Sequence, residues 1–589
     1  MILKALYDYY DQMGSKLPMQ GLEEKEISFV IVIDKDGNFK RIENRMDGKE
    51  SPKFLVAKTV GRTANPVANL LWDNFSYVLG ISKETYSIES EENATKKQKL
   101  QKVIDKNVKN HKTFVESIQS IKKKIPEDQD ILAINKFYEK NEGHLYDLIK
   151  EEVEWDSVIK NINKNVSFLI EGDMEIVAQK KHILDKLLSK EDDIEVAQNQ
   201  YCLVTGEKGE VARLFSSTSI LGSQATASII SFQKKMGFDS YGKEQCYNAP
   251  ISVNAEFKIT TALNYLLRRD SKNKFIIGNR TFAFWASSNS EAAKQAEEGL
   301  YGLLAFTSND DDPNKRIRFV VEIFKSIYSG KLMYSLDDKF YFLGLAPNIG
   351  RIAVVYWNES SLKDFAGKIL KHFNDMEIID TRKEKKPYFG LHQMMANVTL
   401  GGKSSDVQSN LPDATIKSII QGLPYPYTLY SACIRRIRAE QELYIGRAAI
   451  IKAYLNRLNN NEKKLEIMLD KENRNQGYLC GRLFATLEYL QERSNNGTST
   501  IRSRYMNAAS TTPAAVFPTL LNLSIHHEEK LDKGTQIFME NIKTEIIDKL
   551  SANGFPSHLD LNDQGRFMIG YYHQRQDFYT SKKENNVEQ

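Results

Sequence analysis

From Asp406 to the C-terminal end the hydrophobic pattern of this chain is helical, and that sustained change of period constrains the fold more than any single motif. Apolar residues recur at three- and four-residue spacing, which predicts helices over 415–421, 427–457, 462–470, 476–493, 514–530, 535–552 and 562–578. Leu479, Leu483, Phe484, Leu487 and Leu490 form the clearest stripe. Helices striped in this way bury their apolar sides against one another, so the last third is expected to be a helical bundle.

Ahead of Asp406 the period is mixed. The β-branched and aromatic run Ile27–Ile33 ends at Asp34-Lys-Asp-Gly37 and is followed by Phe39–Ile42. That is a strand, a turn and a return strand, because Asp-Gly supplies the positive φ a tight hairpin needs. Residues 61–80 read as a Gly/Pro-punctuated loop that becomes a short amphipathic helix. Cys202–Phe215 alternates on both sides of a Thr-Gly-Glu-Lys-Gly turn, as a hairpin does. Loops dense in Ser, Gly, Gln and Asn fill much of 216–300, with a helix over 256–269. Strand-like segments recur at 274–285, 317–325 and 340–357. The expected fold is α+β, with a mixed α/β N-terminal and middle part followed by an all-α C-terminal helical bundle. The 589 residues allow three to five domains at ~100–200 residues each, and the pattern divides them into 1–200, 201–405 and 406–589. No internal repeat of fixed period is present.

Several function classes are disfavoured. No stretch approaches 18 apolar residues, and the apolar run in MILKALYDYYD is too short for a signal peptide. The four cysteines (Cys202, Cys246, Cys433 and Cys480) are far apart without a CxxC pair, which fits a reducing cytoplasm and neither a disulfide framework nor a closed zinc site. Nine histidines form no HExxH, HxH or HD pattern. Gly401-Gly-Lys-Ser-Ser405 looks like the end of a phosphate-binding loop, but Asn397 stands where the first glycine of that motif belongs. No GxSxG elbow and no other nucleophile signature is present. The chain therefore reads as non-catalytic, with no metal and no cofactor. A metal-dependent nuclease whose acids assemble only in the fold is the alternative from another class.

Nucleic-acid chemistry has to be argued from local charge, since the formal net charge is only +4. Between 96 and 124 there are ten lysines and two acids, Asp105 and Glu116. At 100° per residue Leu100, Val103, Ile104, Val108, Phe114, Val115, Ile118 and Ile121 fall on one half of a helix. Lys99, Lys102, Lys106, Lys109 and Lys112 fall on the other. Two readings stand: a solvated face, or a stripe of ammonium groups that tracks phosphates and displaces their counterions. Lys58, Arg62, Thr63, Asn65 and Asn69 gather around a Gly-Arg-Thr-Ala-Asn-Pro turn. Their groups can read base edges, and they also suit a turn with a helix cap. Lys243, Gln245 and Asn248 share a Gly/Pro-bounded loop with Tyr241 and Tyr247, suited to base stacking and edge readout or to a structural loop. Arg280 is a further readout residue. Arg435, Arg438, Arg482, Arg502 and Arg504 add positive charge in the helical region, with 497–505 read as a polar loop able to follow a single strand.

At these residues the chain resembles a known family. The opening MILKALYDYYD, GRTANPVANLLWDNFSYVLG, CLVTGEKGEVARLF, SYGKEQCYNAPISVNAEFKITTALNYLL, RTFAFWA and GLPYPYTLYSACIRRIRAEQE occur in order along essentially the whole sequence. Together they are similar to the large subunit of the type I-C CRISPR surveillance complex, Cascade. The resemblance implies a non-catalytic subunit that recognises the protospacer-adjacent motif in duplex DNA, helps open the duplex and form the R-loop, and steadies the displaced strand. It implies as partners a crRNA ribonucleoprotein with handle-binding and backbone subunits, and a helicase–nuclease that docks later. It also implies small subunits made from the C-terminal region by an internal start, for which Met468 is a plausible position. A purely structural assembly subunit remains a third reading.

Overall fold

The computed structural model describes residues 1–60, 66–88, 91, 93–188, 199–233, 236–237, 239–304, 313–382, 388–403, 406–408, 410–458, 463–495 and 500–584. They fall into two compact units. The smaller comprises Met13–Gln200 and Lys208–Val211; the larger comprises Met1–Gln12, Tyr201–Glu207 and Ala212–Gln589.

The smaller unit is organised around strand Phe29–Ile33, whose five residues are all buried. It lies inside a four-stranded sheet ordered Phe39–Asn44, Phe29–Ile33, Asn165–Ile170, Trp72–Asn74. Its pairing with Phe39–Asn44 is antiparallel and its pairing with Asn165–Ile170 is parallel. A parallel pair needs a long crossover, and the intervening chain supplies helices Ala94–Lys124 and Gln129–Lys140. Phe114, Ile118 and Ile121 from the first helix and Ile134 and Phe137 from the second close one core with Phe29, Ile31 and Phe168. The expected hairpin is present. Asp34 Oδ1 accepts from the N–H groups of Asp36 (3.0 Å) and Asn38 (2.9 Å), and Gly37 has φ 77°. A Cβ on Gly37 would lie 2.6 Å from the Phe137 nitrogen, so the turn also sets how closely the second helix approaches. Residues 66–80 end in the expected short helix but add a strand ahead of it. They hold a short strand, Trp72–Asn74, and a single helical turn, Phe75–Val78, because Trp72 and Phe75 are needed in the core.

In the larger unit Lys274–Ile277, Arg280–Ala286, Lys339–Asn348 and Arg351–Ser361 form an antiparallel meander. Alternation sorts its aromatics onto two faces. Phe275, Phe282, Phe284, Phe340 and Phe342 face helices Glu291–Leu304 and Leu362–Met376, with Phe340 stacked on Phe365 at 4.1 Å. Trp285, Tyr341 and Trp357 lie on the other face, where Tyr9 of the N-terminal helix Ile2–Met13 meets Trp285. The segment 317–325 is helical rather than extended and belongs to Pro313–Tyr328. Its β-branched residues suggest a strand, yet Val320, Ile323, Phe324 and Ile327 have helical spacing and are all buried.

The helical region follows the sequence expectation with two corrections. The helix expected over 427–457 is two, Tyr427–Glu440 and Ile445–Arg457, separated at Gln441 with φ 55°. The described part of 462–470 is not helical. Asn456 pins it instead, donating to the Leu465 carbonyl and accepting from the Leu465 N–H, both at 2.8 Å. Helices Gln476–Ser494 and Leu561–Glu584 cross closely. A Cβ on Gly481 would sit 2.0 Å from the Phe567 carbonyl oxygen, and one on Gly570 would sit 2.1 Å from that of Tyr478. One buried cluster runs from Phe275 in the meander to Tyr572 in the last helix.

Candidate nucleic-acid interface

Helix Ala94–Lys124 begins where Asn93 accepts from the Thr95 and Lys96 N–H groups (3.0 and 3.2 Å). Its first buried residue is Asn107. From there Asn107 donates to Ser82 Oγ (2.8 Å), His111 Nδ1 meets the Tyr77 carbonyl (2.9 Å), and Phe114, Ile118 and Ile121 enter the core. The buried stripe is thus shorter than the sequence pattern implies, and Val103 and Val108 are 37% and 60% exposed. Lys99, Lys102, Lys106, Lys109 and Lys112 are all exposed. Lys112 leans toward Glu116 at 3.9 Å. Among the described residues no carboxylate pairs with Lys99, Lys102, Lys106 or Lys109. An unpaired row of ammonium groups along one helix face is costly in self-repulsion, and a polyanion relieves that repulsion.

The turn that carries Lys58 and Asn69 is only partly described. Arg62, Thr63 and Asn65 lie outside the described residues. The Lys58 N–H donates to the Gly21 carbonyl (2.8 Å). Asn69 is buried: its Oδ1 accepts from the Val60 N–H and its own N–H donates to Asp73 Oδ2, both at 3.0 Å. It clamps the base of the loop, with its amide turned inward.

In the larger unit the loop carrying Lys243, Gln245 and Asn248 presents Tyr241 fully exposed, with φ 59°. Lys243 is exposed. Gln245 has φ 49° and accepts a hydrogen bond from Arg213, a cation the sequence reading did not single out. Asn248 donates to the carbonyls of Gln245 (2.9 Å) and Lys243 (3.3 Å), so its amide stabilises the turn. Arg280 pairs with Asp413 at 3.1 Å. Burial raises the Asp413 carboxyl above the usual range, with Arg280 opposing.

The arginines of the helical region divide by exposure. Arg435 and Arg504 are exposed and have no carboxylate partner among the described residues. Arg438 is half-buried and donates to Gln564. Arg502 faces Glu488 at 3.6 Å; it and Arg504 lie on helix Ile501–Ala509, where a loop was expected. Arg482 is fully buried, donating to Gln574 (3.0 Å) and pairing with Glu545 (3.1 Å). Its guanidinium is committed inside the bundle and is out of reach of a phosphate.

For metal chemistry the described residues bring together one group of three, Asp128, Asp130 and His182. Asp128 Oδ1 already caps helix Gln129–Lys140, its Oδ2 meets His182 Nε2 at 3.0 Å, and the Lys180 ammonium lies 2.6 Å from Asp130 and also pairs with Asp173. Each of the three side chains thus already has a protein partner.

The model of the family described as CRISPR-associated protein (Cas_Csd1) matches residues 6–579. The chain belongs to that family. The match spans both units and, apart from the first five residues of the opening one, every motif on which the resemblance rests, consistent with the type I-C Cascade large subunit that the sequence resembles. No curated protein matches it. No helix among its described residues is long and apolar enough to cross a membrane. In this Csd1-family protein Lys99, Lys102, Lys106, Lys109, Lys243, Arg435 and Arg504 are both exposed and cationic, whereas Asn69, Asn248 and Arg482 are engaged in internal bonds.

Proposed function

We propose that this chain is the non-catalytic DNA-reading subunit of a type I-C Cascade. It recognises the protospacer-adjacent motif in duplex DNA, promotes duplex opening and R-loop formation, steadies the displaced strand and helps recruit the helicase–nuclease, all in the cytoplasm. The observation that carries this reading is the exposed row Lys99, Lys102, Lys106 and Lys109, unpaired among the described residues, on the outer face of a helix whose first buried residue is Asn107. Neutralising phosphates along such a row releases condensed counterions, which drives binding without regard to sequence. Discrimination is assigned to Lys58, Arg62, Thr63, Asn65, Lys243, Gln245 and Arg280, while guide pairing supplies the rest of the sequence specificity. Arg435, Arg438, Arg502 and Arg504 serve the single strand.

The partners follow from this role: crRNA ribonucleoprotein with handle-binding and backbone subunits, duplex target, and small subunits from the chain's own C-terminal region. Met468 lies in the non-helical stretch before helix Gln476–Ser494, so a product beginning there would keep that helix whole. Expressing the gene with a C-terminal tag should give a short second band; a single full-length band would remove the internal start.

The reading is tested by gel shift with the reconstituted complex on duplexes that carry or lack the flanking motif. Motif-dependent binding without cleavage in magnesium or manganese is the expected result. Cleavage abolished by Asp128→Asn or Asp130→Asn would replace it with a nuclease.

A further inference from the structure

The helical hairpin made by Pro513–Glu528 and Lys533–Ile547 has an outer surface of unusual composition for a chain in which 27% of residues are charged. The first helix, PAAVFPTLLNLSIHHE, contains no acid or lysine before Glu528. Pro513, Val516, Phe517, Leu520 and Ser524 make up its buried side. Its exposed side carries Ala514, Ala515, Pro518, Thr519, Asn522 and Ile525, none of them charged. A solvent-facing helix ordinarily places charges on its outer side, and an apolar helix surface is ordinarily covered. The second helix continues the pattern, with Ile537 63% and Phe538 51% exposed beside Ile525 at 53%. Together the two helices form a groove of about 360 Å³ lined by Ile525, Glu528, Glu529, Gln536, Ile537 and Glu540.

Charge at the rim selects the occupant. Lys543 pairs with both Glu528 and Glu540, which leaves three carboxylates against one ammonium. Among the described residues Glu529 has only the more distant His526 at 3.9 Å. Nucleic acid is repelled by that sign. A second copy meeting the groove through the same face would set these glutamates against their own counterparts, which is also unfavourable. The first helix is 16 residues long, about 24 Å at ~1.5 Å per residue, so its outer side can seat a partner helix of about four turns with the groove at its C-terminal end. We propose that this groove is a docking site for a protein partner presenting an amphipathic helix whose aliphatic stripe is flanked by lysine or arginine. The inference does not depend on the DNA-reading proposal and can fail or stand without it.

Fluorescence anisotropy with the purified full-length chain tests it, using two dye-labelled 16-residue helical peptides that share a leucine stripe and differ only in lysine or glutamate flanks. The lysine peptide is expected to bind at least tenfold tighter than the glutamate peptide. Ile525→Asp with Ile537→Asp should weaken it tenfold or more, and Glu529→Lys should reduce the preference for the lysine peptide. Both variants alter exposed positions, and an unchanged melting temperature verifies their fold. Equal binding of the two peptides, or native binding by the double isoleucine variant, would overturn the proposal. So would a self-dimer in sedimentation that Ile537→Asp dissociates.

Discussion

Replacing Lys99, Lys102, Lys106 and Lys109 together by glutamine isolates the electrostatic claim. Glutamine is a helix former of nearly the same propensity as lysine, and all four positions are exposed, so stability should change by less than about 0.5 kcal/mol per site. From Lys99 to Lys109 is ten residues, about 15 Å at ~1.5 Å per residue. One DNA strand presents about four phosphates over that length at ~3.4 Å each, one per lysine. With a slope of about −0.9 in log K against log salt for each phosphate neutralised, the four lysines account for about 3.6 units of slope on duplex DNA, or about 2.8 on a single strand. Between 50 and 200 mM salt that difference amounts to roughly 150-fold in duplex affinity. The assay is a salt titration of DNA binding by native and variant complexes, followed by anisotropy on a non-specific duplex. A folded variant with the native slope would refute the assignment of this helix to phosphate contact and leave it a solvated face.

Three further predictions concern the fold that presents these residues. Gly481→Val forces a side chain into a crossing where even a Cβ would stand 2.0 Å from a carbonyl oxygen; it should cost about 3 kcal/mol or more, read as a lowered denaturation midpoint. Arg482→Ala removes the donor to buried Gln574 and leaves Glu545, 29% exposed, with Lys549 alone at 3.2 Å, so a loss of about 3 kcal/mol, the low end for breaking a buried pair, is expected, with no change in the salt slope of DNA binding. Burial pushes the imidazoles of His372 and His573 down to about 3, with Arg457 adding to the shift at the first and Lys452 at the second. His372 sits between the Tyr425 hydroxyl (2.7 Å) and the Phe389 carbonyl (2.9 Å). Because the unfolded chain takes up these protons near pH 6.5 and the folded one does not, stability from this source is complete above that pH and declines as pH falls from 6.5 toward 3. The melting temperature should follow that window, and His372→Gln with His573→Gln should flatten it.

What the sequence revealed was governed by local rules. The Asp34–Gly37 turn is legible because backbone chemistry decides it within a few residues. The buried stripe of Gln476–Ser494 is legible because its period is long and regular. The lysine helix is legible in charge, while its burial is not: Val103 and Val108 look like core in the sequence pattern, yet both are exposed. Residues 317–325 mislead because β-branching suggests a strand, whereas packing on the core selects a helix. Arg482 shows the limit most clearly. A helix-borne arginine looks the same in sequence whether it faces water or Glu545, and only the partner on a helix 63 residues away decides. Asn69 fails in the same way, since its amide is consumed by the Val60 N–H across the loop it was expected to crown.

The measurement that bears most directly on the central claim is site-specific photo-crosslinking from position 102 in the assembled complex on target DNA. A crosslink to the DNA, formed on duplexes with or without the flanking motif at low salt, is the predicted outcome. A crosslink only to neighbouring protein subunits, with motif-dependent binding intact, would contradict it.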